Sequence, residues 1–390
     1  MRVRRGLLFL VMLVVGGVLA RVWLAGGSGS AATANGASVT EALSGGAGTE
    51  GFARALRPRP FVFPEDAGPH PAYQTEWWYY TGNLDGDDGG HYGYQLTVFR
   101  RALTPHAQKR PSSWGASQVY FAHFALTDVR RGAFVSDERW SRGAAGLAGA
   151  RSAARGGGAA FDAWVESWSM RAEGDGAHLR ADTPEASIDL VVTPEREVVA
   201  QGDHGLSHKS VDPANASYYY SIPRLRTTGT VRSAGRVVSV SGQSWLDREW
   251  STSALSKDEV GWDWFALQLS DGRDIMLYHM RRRDSTLDPN SSGSVMTVNG
   301  VKPLRLADVQ VDVTSTWRSP HSKTAYPSSW RVRIPSEGLD LRVEPLAADQ
   351  ELQGAFRYWE GAVKITSADG RVNGNGYVEL TGYADRLSGP

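Results

Sequence analysis

The chain has 390 residues, 41% of them hydrophobic, which is enough for two or three domains with packed cores. Lys and Arg together number 42, as do Asp and Glu, so the net charge is zero and nothing predicts a nucleic-acid partner. The absence of cysteine excludes disulfides, thiolate metal ligands, cysteine nucleophiles and a lipidated N-terminal cysteine.

The first 25 residues have the pattern of an export signal or an N-terminal anchor. Three arginines among the first five residues precede an uninterrupted apolar run from Leu7 to Ala20. The run is shorter than the roughly 20 residues that span a bilayer, so a cleaved signal and an uncleaved anchor both stay open. We expect the remaining chain in the periplasm or outside the cell, with membrane contact only if the segment is uncleaved.

Residues 26–56 are rich in Gly, Ala, Ser and Thr and have no hydrophobic period, which predicts a flexible linker. From about residue 57, short alternating segments are separated by Gly, Asp and Asn turns at spacings of roughly 8–12 residues. No long stretch has a helical period. The pattern predicts an all-β chain whose strand number favours barrels or sandwiches.

One strand-length stretch, "HPAYQTEWWYYTGNL" at residues 70–84, holds two Trp, three Tyr and one carboxylate, Glu76. Because side chains alternate along a strand, Glu76, Trp78 and Tyr80 are expected on one face. Trp77 and Tyr79 are expected on the opposite face. Trp and Tyr have polar tips that need partners when buried. The stretch therefore indicates either an unusual core or a surface that holds a ligand.

The histidines give weaker signals. On its predicted strand, His123 is interpreted either as a core histidine with its hydrogen bonds satisfied or as an acid/base in a barrel lumen. His204 and His208 are four residues apart, but Gly202 and Gly205 predict a loop and no third ligand is evident, so we predict neither a metal nor a cofactor. There is no G-x-S-x-G or H-E-x-x-H motif of a serine or zinc hydrolase.

An internal similarity predicts two related domains. "YYTGNLDGDDGGHYGYQLTVFRR" (79–101) resembles "WFALQLSDGRDIMLYHMRR" (264–282): each has an aromatic strand, a Gly/Asp turn and an apolar strand that ends in arginines. A repeat at that distance fits two domains of a size suited to eight-stranded barrels. We place them at 57–225 and 226–390.

The densest polar constellation combines "SWLDREW" (244–250) with "GWDWF" (261–265). Burial among Trp rings would raise the pKa of Asp247 or Glu249 and make it a candidate general acid. Aromatic faces beside such an acid can stabilise a positively charged intermediate. The alternative is that both carboxylates pair with Arg248 or a neighbouring arginine and lock a strand corner. The aromatic residues in these two segments that we consider ligand-binding are Trp250, Trp262 and Trp264.

Several of these segments resemble the AttH-like family, predicted secreted hydrolases related to carotenoid 1,2-hydratase (hydroxyneurosporene synthase). They are "HPAYQTEWWYYTGNL", "YFAHFALTDV", "GDHGLSHKSVDPANASYYYSIPRL" and "SGQSWLDREWSTSAL…GWDWFALQLSDGRDIMLYHM". The resemblance covers residues 57–390. It implies two lipocalin-like (calycin) antiparallel β-barrels in an extracytoplasmic setting, often beside an ABC-type export system.

Under this resemblance, the aromatic rings would line a barrel lumen and offer a flat apolar surface to an acyl, polyene or terpenoid chain. A barrel of about eight strands has room for side chains or one small ligand. The alternative is that the rings only fill and close the barrels. The predicted ligand-binding residues are Trp78, Tyr80, His123, Trp250, Trp262 and Trp264.

The sequence departs from the hydratase branch at two positions. Where that branch is expected to have a histidine two residues before Trp250, this chain has Arg248. A Tyr-x-Asp pattern would fall on Tyr278 and Met280, so its acid is missing, while Tyr278 joins the two carboxylates of "SWLDREW" as a catalytic candidate. These departures favour an exported protein that binds a lipophilic ligand, working with an ABC-type export complex; the alternative is a carotenoid 1,2-hydratase-like hydro-lyase.

Overall fold

The computed structural model describes residues 48–106, 112–153, 157–253, 255 and 258–384. These ranges contain strands, three short 3-10 helices and no α-helix. The strands form two antiparallel sheets, one nearly closed barrel and one half-barrel, which confirms the prediction of an all-β chain with two lipocalin-like units. The predicted export signal and residues 26–47 of the predicted linker lie outside the described residues.

The first sheet has 13 strands, and its central path runs in the order β4-β3-β2-β1-β13-β12-β9-β8-β7-β6-β5, with β10 and β11 against β12. Its elements are the helix Glu65–Ala67 and the strands β1 (Thr75–Gly86), β2 (His91–Ala102), β3 (Gln118–Asp128), β4 (Ala133–Arg142), β5 (Ala148–Ser152), β6 (Phe161–Val165), β7 (Trp168–Glu173), β8 (Gly176–Asp182), β9 (Ala186–Pro194), β10 (Val199–Ala200), β11 (Leu206–His208), β12 (Ala216–Ser233) and β13 (Arg236–Ser253).

The second sheet has ten strands, in the order β17-β16-β15-β14-β23-β22-β20-β19-β18, with β21 against β22. Its elements are the helices Leu306–Asp308 and Pro335–Glu337 and the strands β14 (Glu259–Leu269), β15 (Asp274–Arg282), β16 (Ser292–Thr297), β17 (Gly300–Arg305), β18 (Gln310–Arg318), β19 (Ala325–Ile334), β20 (Leu339–Pro345), β21 (Glu351–Gln353), β22 (Arg357–Ser367) and β23 (Asn373–Leu380). None of the helices in the described ranges is long and apolar enough to cross a membrane.

The two sheets share the connectivity of their first four strands and of their last strand. In each, the first strand pairs with the last, β1 with β13 and β14 with β23, and the next three strands continue outward from the first. The similar segments 79–101 and 264–282 therefore occupy equivalent hairpins. The first sheet ends with β13 at Ser253, and the second begins after it. The predicted boundary at residue 225 lies within β12. Because β12 and β13 pair along nearly their whole length, both strands belong to the first sheet.

Residues 48–56, predicted as the end of the linker, instead pack on the first sheet. Ala55 is buried in a cluster with Leu206 and Trp250, and the backbone N–H of Ala53 donates to Ala72 O at 2.9 Å. Composition alone conceals this contact, since small residues such as alanine occur both in linkers and in packed segments.

Alternation along β1 separates two kinds of packing. Trp78 and Tyr80 point into the interior of the first sheet, where they join its hydrophobic core. Trp77 and Tyr79 point out of it, and Tyr79 joins a third cluster with Trp264 and Tyr278 of the second sheet. Because side chains alternate with a period of two, one strand contributes both to its own barrel core and to the contact between sheets.

Candidate functional site

A cavity opens between the outward faces of the two sheets. Strands β1, β2, β12 and β13 form one wall, and β14, β15, β22 and β23 form the other. The volume of the cavity is about 70 Å³. The aromatic lining residues are Trp77, Tyr79, Phe99, Tyr219, Trp262, Trp264, Tyr278 and Tyr358, and the charged ones are Lys209, Asp247, Glu249, Glu360 and Glu379.

The register of β13 brings two carboxylates to the cavity. Asp247 and Glu249 alternate with residues that face the interior of the first sheet, and β1 and β12 flank them on either side. Asp247 lies opposite Tyr79 and Ser221. These neighbours surround the acids with hydroxyl groups and aromatic rings instead of arginines.

Asp247 is a buried carboxylate that accepts three hydrogen bonds. Its donors are the Tyr219 hydroxyl at 2.5 Å, the Ser221 hydroxyl at 2.6 Å and Trp245 Nε1 at 2.6 Å. Burial raises the pKa of Asp247 to about 7, although the three hydrogen bonds act in the opposite direction. The group can therefore gain or lose a proton near neutral pH.

Glu249 forms an ion pair with Lys209, whose Nζ lies 2.9 Å from Glu249 Oε1. The Ser217 hydroxyl donates to the same carboxylate. Burial opposes the charge on Lys209, but the neighbouring Glu249 carboxylate outweighs it and raises the pKa of the ammonium group. Its Nζ also lies 4.4 Å from the ring centroid of Tyr278. Lys209 is the one cationic side chain in the lining formed by the described residues.

Glu360 and Glu379 face each other across β22 and β23. The Tyr79 hydroxyl donates to Glu360 Oε1, while Oε2 has no hydrogen-bond partner among the described residues. Burial, with the neighbouring Glu379 carboxyl, raises the pKa of Glu360 well above its usual value. Burial raises the pKa of Glu379 to about 8. Both shifts favour the protonated form, in which a carboxyl group can donate a hydrogen bond or a proton.

The structure brings five predicted site residues together in this cavity: Asp247, Glu249, Trp262, Trp264 and Tyr278. The Tyr278 hydroxyl lies 3.2 Å from Ser207 Oγ and donates to His208 O at 3.0 Å. Trp264 Nε1 donates to the Tyr219 hydroxyl at 3.2 Å, so its indole joins the network around Asp247.

Three other predicted ligand-binding residues lie away from the cavity, because they face the opposite side of their strands. Trp78 and Tyr80 belong to the interior core of the first sheet, where Trp78 Nε1 donates to Ala67 O at 3.0 Å. Trp250 stacks on His70, with ring centroids 3.8 Å apart. These rings fill and close the first barrel, and the cavity lies between the sheets instead of inside the lumen.

His123 lies beside the cavity without lining it. Its Nδ1 is 2.7 Å from the hydroxyl oxygen of Tyr358, which does line the cavity. Burial lowers the pKa of His123 to about 3, so the imidazole is neutral.

Arg248 does not pair with Asp247 or Glu249, as the alternative interpretation required. It faces the interior of the first sheet, where its Nη2 lies 2.7 Å from Glu76 Oε2 and its guanidinium lies 3.9 Å above Trp78. Arg100 binds the same carboxylate from the other side. The departure from the hydratase pattern at residue 248 is therefore remote from the cavity, whereas Met280 lines it.

No metal site is present in the described part of the chain. His204 is exposed in a turn with positive φ, and His208 ends β11. The described ranges contain no group of three or more His, Cys, Asp or Glu side chains that could hold a metal ion.

Sequence reasoning missed Lys209, Glu360 and Glu379, as well as the cavity face of β1. A usable signal exists for the two glutamates. Each is a single acid within an otherwise apolar strand segment, "YWEGAV" and "YVEL". Carboxyl groups are rarely buried without a partner, so an isolated acid within an apolar strand segment suggests a functional group.

The AttH-like family model matches residues 54–383. Kievitone hydratase of Fusarium solani subsp. phaseoli is 25% identical over 179 residues, which are 42% of this chain and 49% of that protein. The chain thus spans about half the length of this curated relative.

Two crystal structures have the same fold. A candidate AttH protein from Nitrosomonas europaea is 32% identical, with a TM-score of 0.75. The match covers 85% of this chain and 100% of that one. Kievitone hydratase from Nectria haematococca is 14% identical, with a TM-score of 0.63, over 87% of this chain and 98% of that one. At that identity, the second likeness concerns the fold alone.

Proposed function

Because the chain belongs to the AttH-like family, we propose that it is a hydro-lyase that adds water to, or removes it from, a double bond of a lipophilic molecule. One observation carries the proposal: Glu360 and Glu379 lie opposite each other in a cavity lined with aromatic rings, where burial raises the pKa of both carboxyl groups. A protein that only bound an apolar molecule would gain nothing from four carboxyl groups beside one ammonium, because burying them costs desolvation energy. The likeness to a protein named kievitone hydratase also supports it.

Each step of hydration has a suitable group in the cavity. Glu360 donates its proton to one alkene carbon, and the π electrons form the new C–H bond. Aromatic faces such as that of Trp264 stabilise the positive charge on the other carbon. A water molecule then forms the C–O bond, and Asp247, as carboxylate, accepts the proton that this water loses. Dehydration follows the same steps in reverse.

A second candidate is a protein that binds an acyl, polyene or terpenoid ligand and releases it unchanged. The eight aromatic side chains of the lining favour it, since flat rings pack well against such chains. The two candidates share one cavity and differ in whether the carboxyl groups transfer protons.

The test uses the full chain with kievitone and a panel of terpenoid and polyene alcohols and alkenes, in water labelled with ¹⁸O. We expect mass spectrometry to detect a product that has gained one labelled water. Glu360→Gln should lower turnover by roughly 10²–10⁴-fold, the contribution of a positioned proton donor, while quenching of Trp emission by bound substrate persists.

Glu351→Gln is the matched control. Glu351 is a buried acid of the second sheet that is absent from the cavity lining and accepts a hydrogen bond from the Tyr326 hydroxyl at 2.9 Å. It should leave turnover unchanged. Quenching without any product would favour the second candidate, and neither quenching nor product across the panel would contradict both.

We also propose that the chain is exported and works beside an ABC-type export complex. The basic and apolar pattern of residues 1–25 supports export, and the family resemblance supports the partner. An enzyme reporter fused after residue 60 should be active on the outer side of the cytoplasmic membrane. A fusion active only in the cytoplasm would contradict export.

A further inference from the structure

A second cleft, separate from the cavity, lies where β3 and β4 meet the segment between β21 and β22. It is lined by polar groups that include Ser136, Asp137 and Glu138, together with His123 and Phe356. Its volume is about 150 Å³, which is room for several water molecules. His123 therefore forms part of the wall of this cleft.

The His123 ring has one satisfied nitrogen and one unsatisfied nitrogen. Its Nδ1 is hydrogen-bonded to the Tyr358 hydroxyl at 2.7 Å. Its Nε2 is buried and has no hydrogen-bond partner among the described residues; Glu138 Oε2 is 3.9 Å away, beyond hydrogen-bonding distance. An orphaned buried nitrogen costs free energy, so its position in the lining of a polar cleft needs an explanation.

Tyr358 connects this histidine to the buried acid pair. Its hydroxyl is hydrogen-bonded to His123, and its side chain lines the cavity beside Glu360, two residues along the same strand. Residues two apart on a strand share a face. The polar atoms thus form a series from the cleft through His123 and Tyr358 to Glu360.

We propose that His123 and Tyr358 relay protons between the polar cleft and Glu360, an inference that rests on the proposed function. After Glu360 has protonated the substrate, it is a carboxylate and needs a new proton. Tyr358 gives its hydroxyl proton to Glu360 and takes the Nδ1 proton of His123, while His123 Nε2 takes a proton from solvent in the cleft. One proton enters for the one that Asp247 later returns to solvent. The first tautomer returns when water takes the Nε2 proton and gives a proton to Nδ1.

The neutral state of the imidazole suits this role. Because burial keeps His123 uncharged, the ring exchanges one proton for another and does not store a positive charge between aromatic rings. The rings of Tyr358 and Phe356 pack beside the imidazole. His123 and Tyr358 are relay residues, which act through Glu360.

The test measures proton exchange of Glu360 in the full chain without any substrate. The protein in H₂O is mixed rapidly with D₂O, and time-resolved infrared spectroscopy follows the carbonyl stretch of its buried protonated carboxyl groups. Loss of a band in Glu360→Gln assigns that band. We expect His123→Phe and Tyr358→Phe each to slow its exchange by roughly a hundredfold, the lower end of what a positioned proton-transfer group contributes. His279→Phe, at a buried histidine of β15 outside the cleft lining, should leave the rate unchanged.

The outcomes separate the relay from its alternatives. A structural role for His123 predicts the opposite sign, since a loosened fold exchanges buried protons faster. Unchanged or faster exchange in both relay variants would overturn the relay and leave the proposed function standing. A wild-type protein without any Glu360 band would contradict the protonated acid on which the proposed function depends, and the relay with it. Because either variant alone gives the result, failure of one to fold does not prevent the test.

Discussion

Two buried glutamates in this protein have pKa values shifted in opposite directions because their surroundings differ in charge. Glu76 lies between Arg100 and Arg248; burial works against ionisation, but the two guanidinium groups outweigh it and hold the pKa of Glu76 well below its usual range. Glu360 has equal burial, two tyrosine hydroxyls and another carboxyl nearby, so its pKa moves the other way. The aromatic stretch that carries Glu76 therefore holds a structural ion pair, and the reactive acids lie on other strands.

Asp247→Asn should change how stability depends on pH. Burial raises the pKa of Asp247 from 3.8 to about 7 in the folded protein. The folded state then holds a proton that the unfolded chain loses above about pH 4, so the free energy of unfolding that this group contributes falls as pH rises toward 7. Relative to wild type, the variant should gain roughly 2–4 kcal/mol between pH 4 and pH 7.

Urea denaturation at a series of pH values measures this difference. The comparison with wild type is necessary because His123 and His279, whose pKa values are lowered by burial, make the opposite contribution below about pH 6.5 in both proteins. The lost charge can also change the free energy of unfolding by an amount that is the same at every pH. This constant difference does not affect the test, which depends only on how the difference between variant and wild type changes with pH. A variant whose relative stability stays flat across this range would show that Asp247 titrates normally.

At the scale of the element, β1 carries out two tasks on its two faces. Trp78 is fully buried in the interior of the first sheet, and Trp77 is half-buried in the cavity wall. Trp78→Ala should lower the free energy of unfolding by about 3–5 kcal/mol, the usual cost of removing a buried aromatic side chain. Trp77→Ala should cost less stability and should weaken binding of a lipophilic fluorescent probe. Denaturation curves and probe titrations on the pair measure both effects, and equal effects of the two variants would contradict the division of faces.

The sequence predicts the division of β1 into two faces but not which face meets a ligand. Alternation alone separates Trp78 and Tyr80 from Trp77 and Tyr79, and the structure has that separation. The opposite wall comes from β22, where Glu360 meets Tyr79 across 281 positions of sequence. Contacts between residues so far apart in the sequence leave no local pattern. The sequence therefore predicts the ligand on the interior face of β1, with Trp78 and Tyr80.

For the whole molecule, the two sheets are held face to face by close contacts outside the cavity. Asn83 Nδ2 donates to Gly376 O at 3.0 Å, and the Thr127 hydroxyl donates to Gln350 Oε1 at 2.7 Å. At Gly93, an added Cβ would lie 2.4 Å from the Cβ of Ala362 on the other sheet. The glycine thus allows the closest approach of the two sheets.

Gly93→Ala should push the sheets apart at this point. The expected loss is about 1–3 kcal/mol of unfolding free energy, the usual cost of overpacking, together with weaker probe binding in the cavity. Gly157→Ala is the matched control, since its added Cβ meets nothing within 4 Å. Ala362→Gly in the Gly93→Ala background should restore part of the loss. A neutral Gly93→Ala, measured by thermal and urea unfolding, would show that the sheets do not pack this closely.

The internal repeat predicts two related sheets. It does not predict where along the chain the first sheet ends and the second begins. The hairpins at 79–101 and 264–282 are similar in sequence and in position. The segment that forms the long β12–β13 hairpin has no recognisable repeat elsewhere in the sequence. The sequence therefore gives no sign that the first sheet continues to Ser253.

A cavity outside both barrel cores has a consequence for evolvability. The residues that select a substrate and those that keep each barrel folded occupy alternate positions of the same strands, so selection can change one set while the other stays constant. A combinatorial library restricted to Trp77, Trp262, Tyr278 and Met280 should retain folded protein in most members while its substrate range shifts. Enclosed-lumen scaffolds lack this freedom, because there each new specificity also redesigns the core.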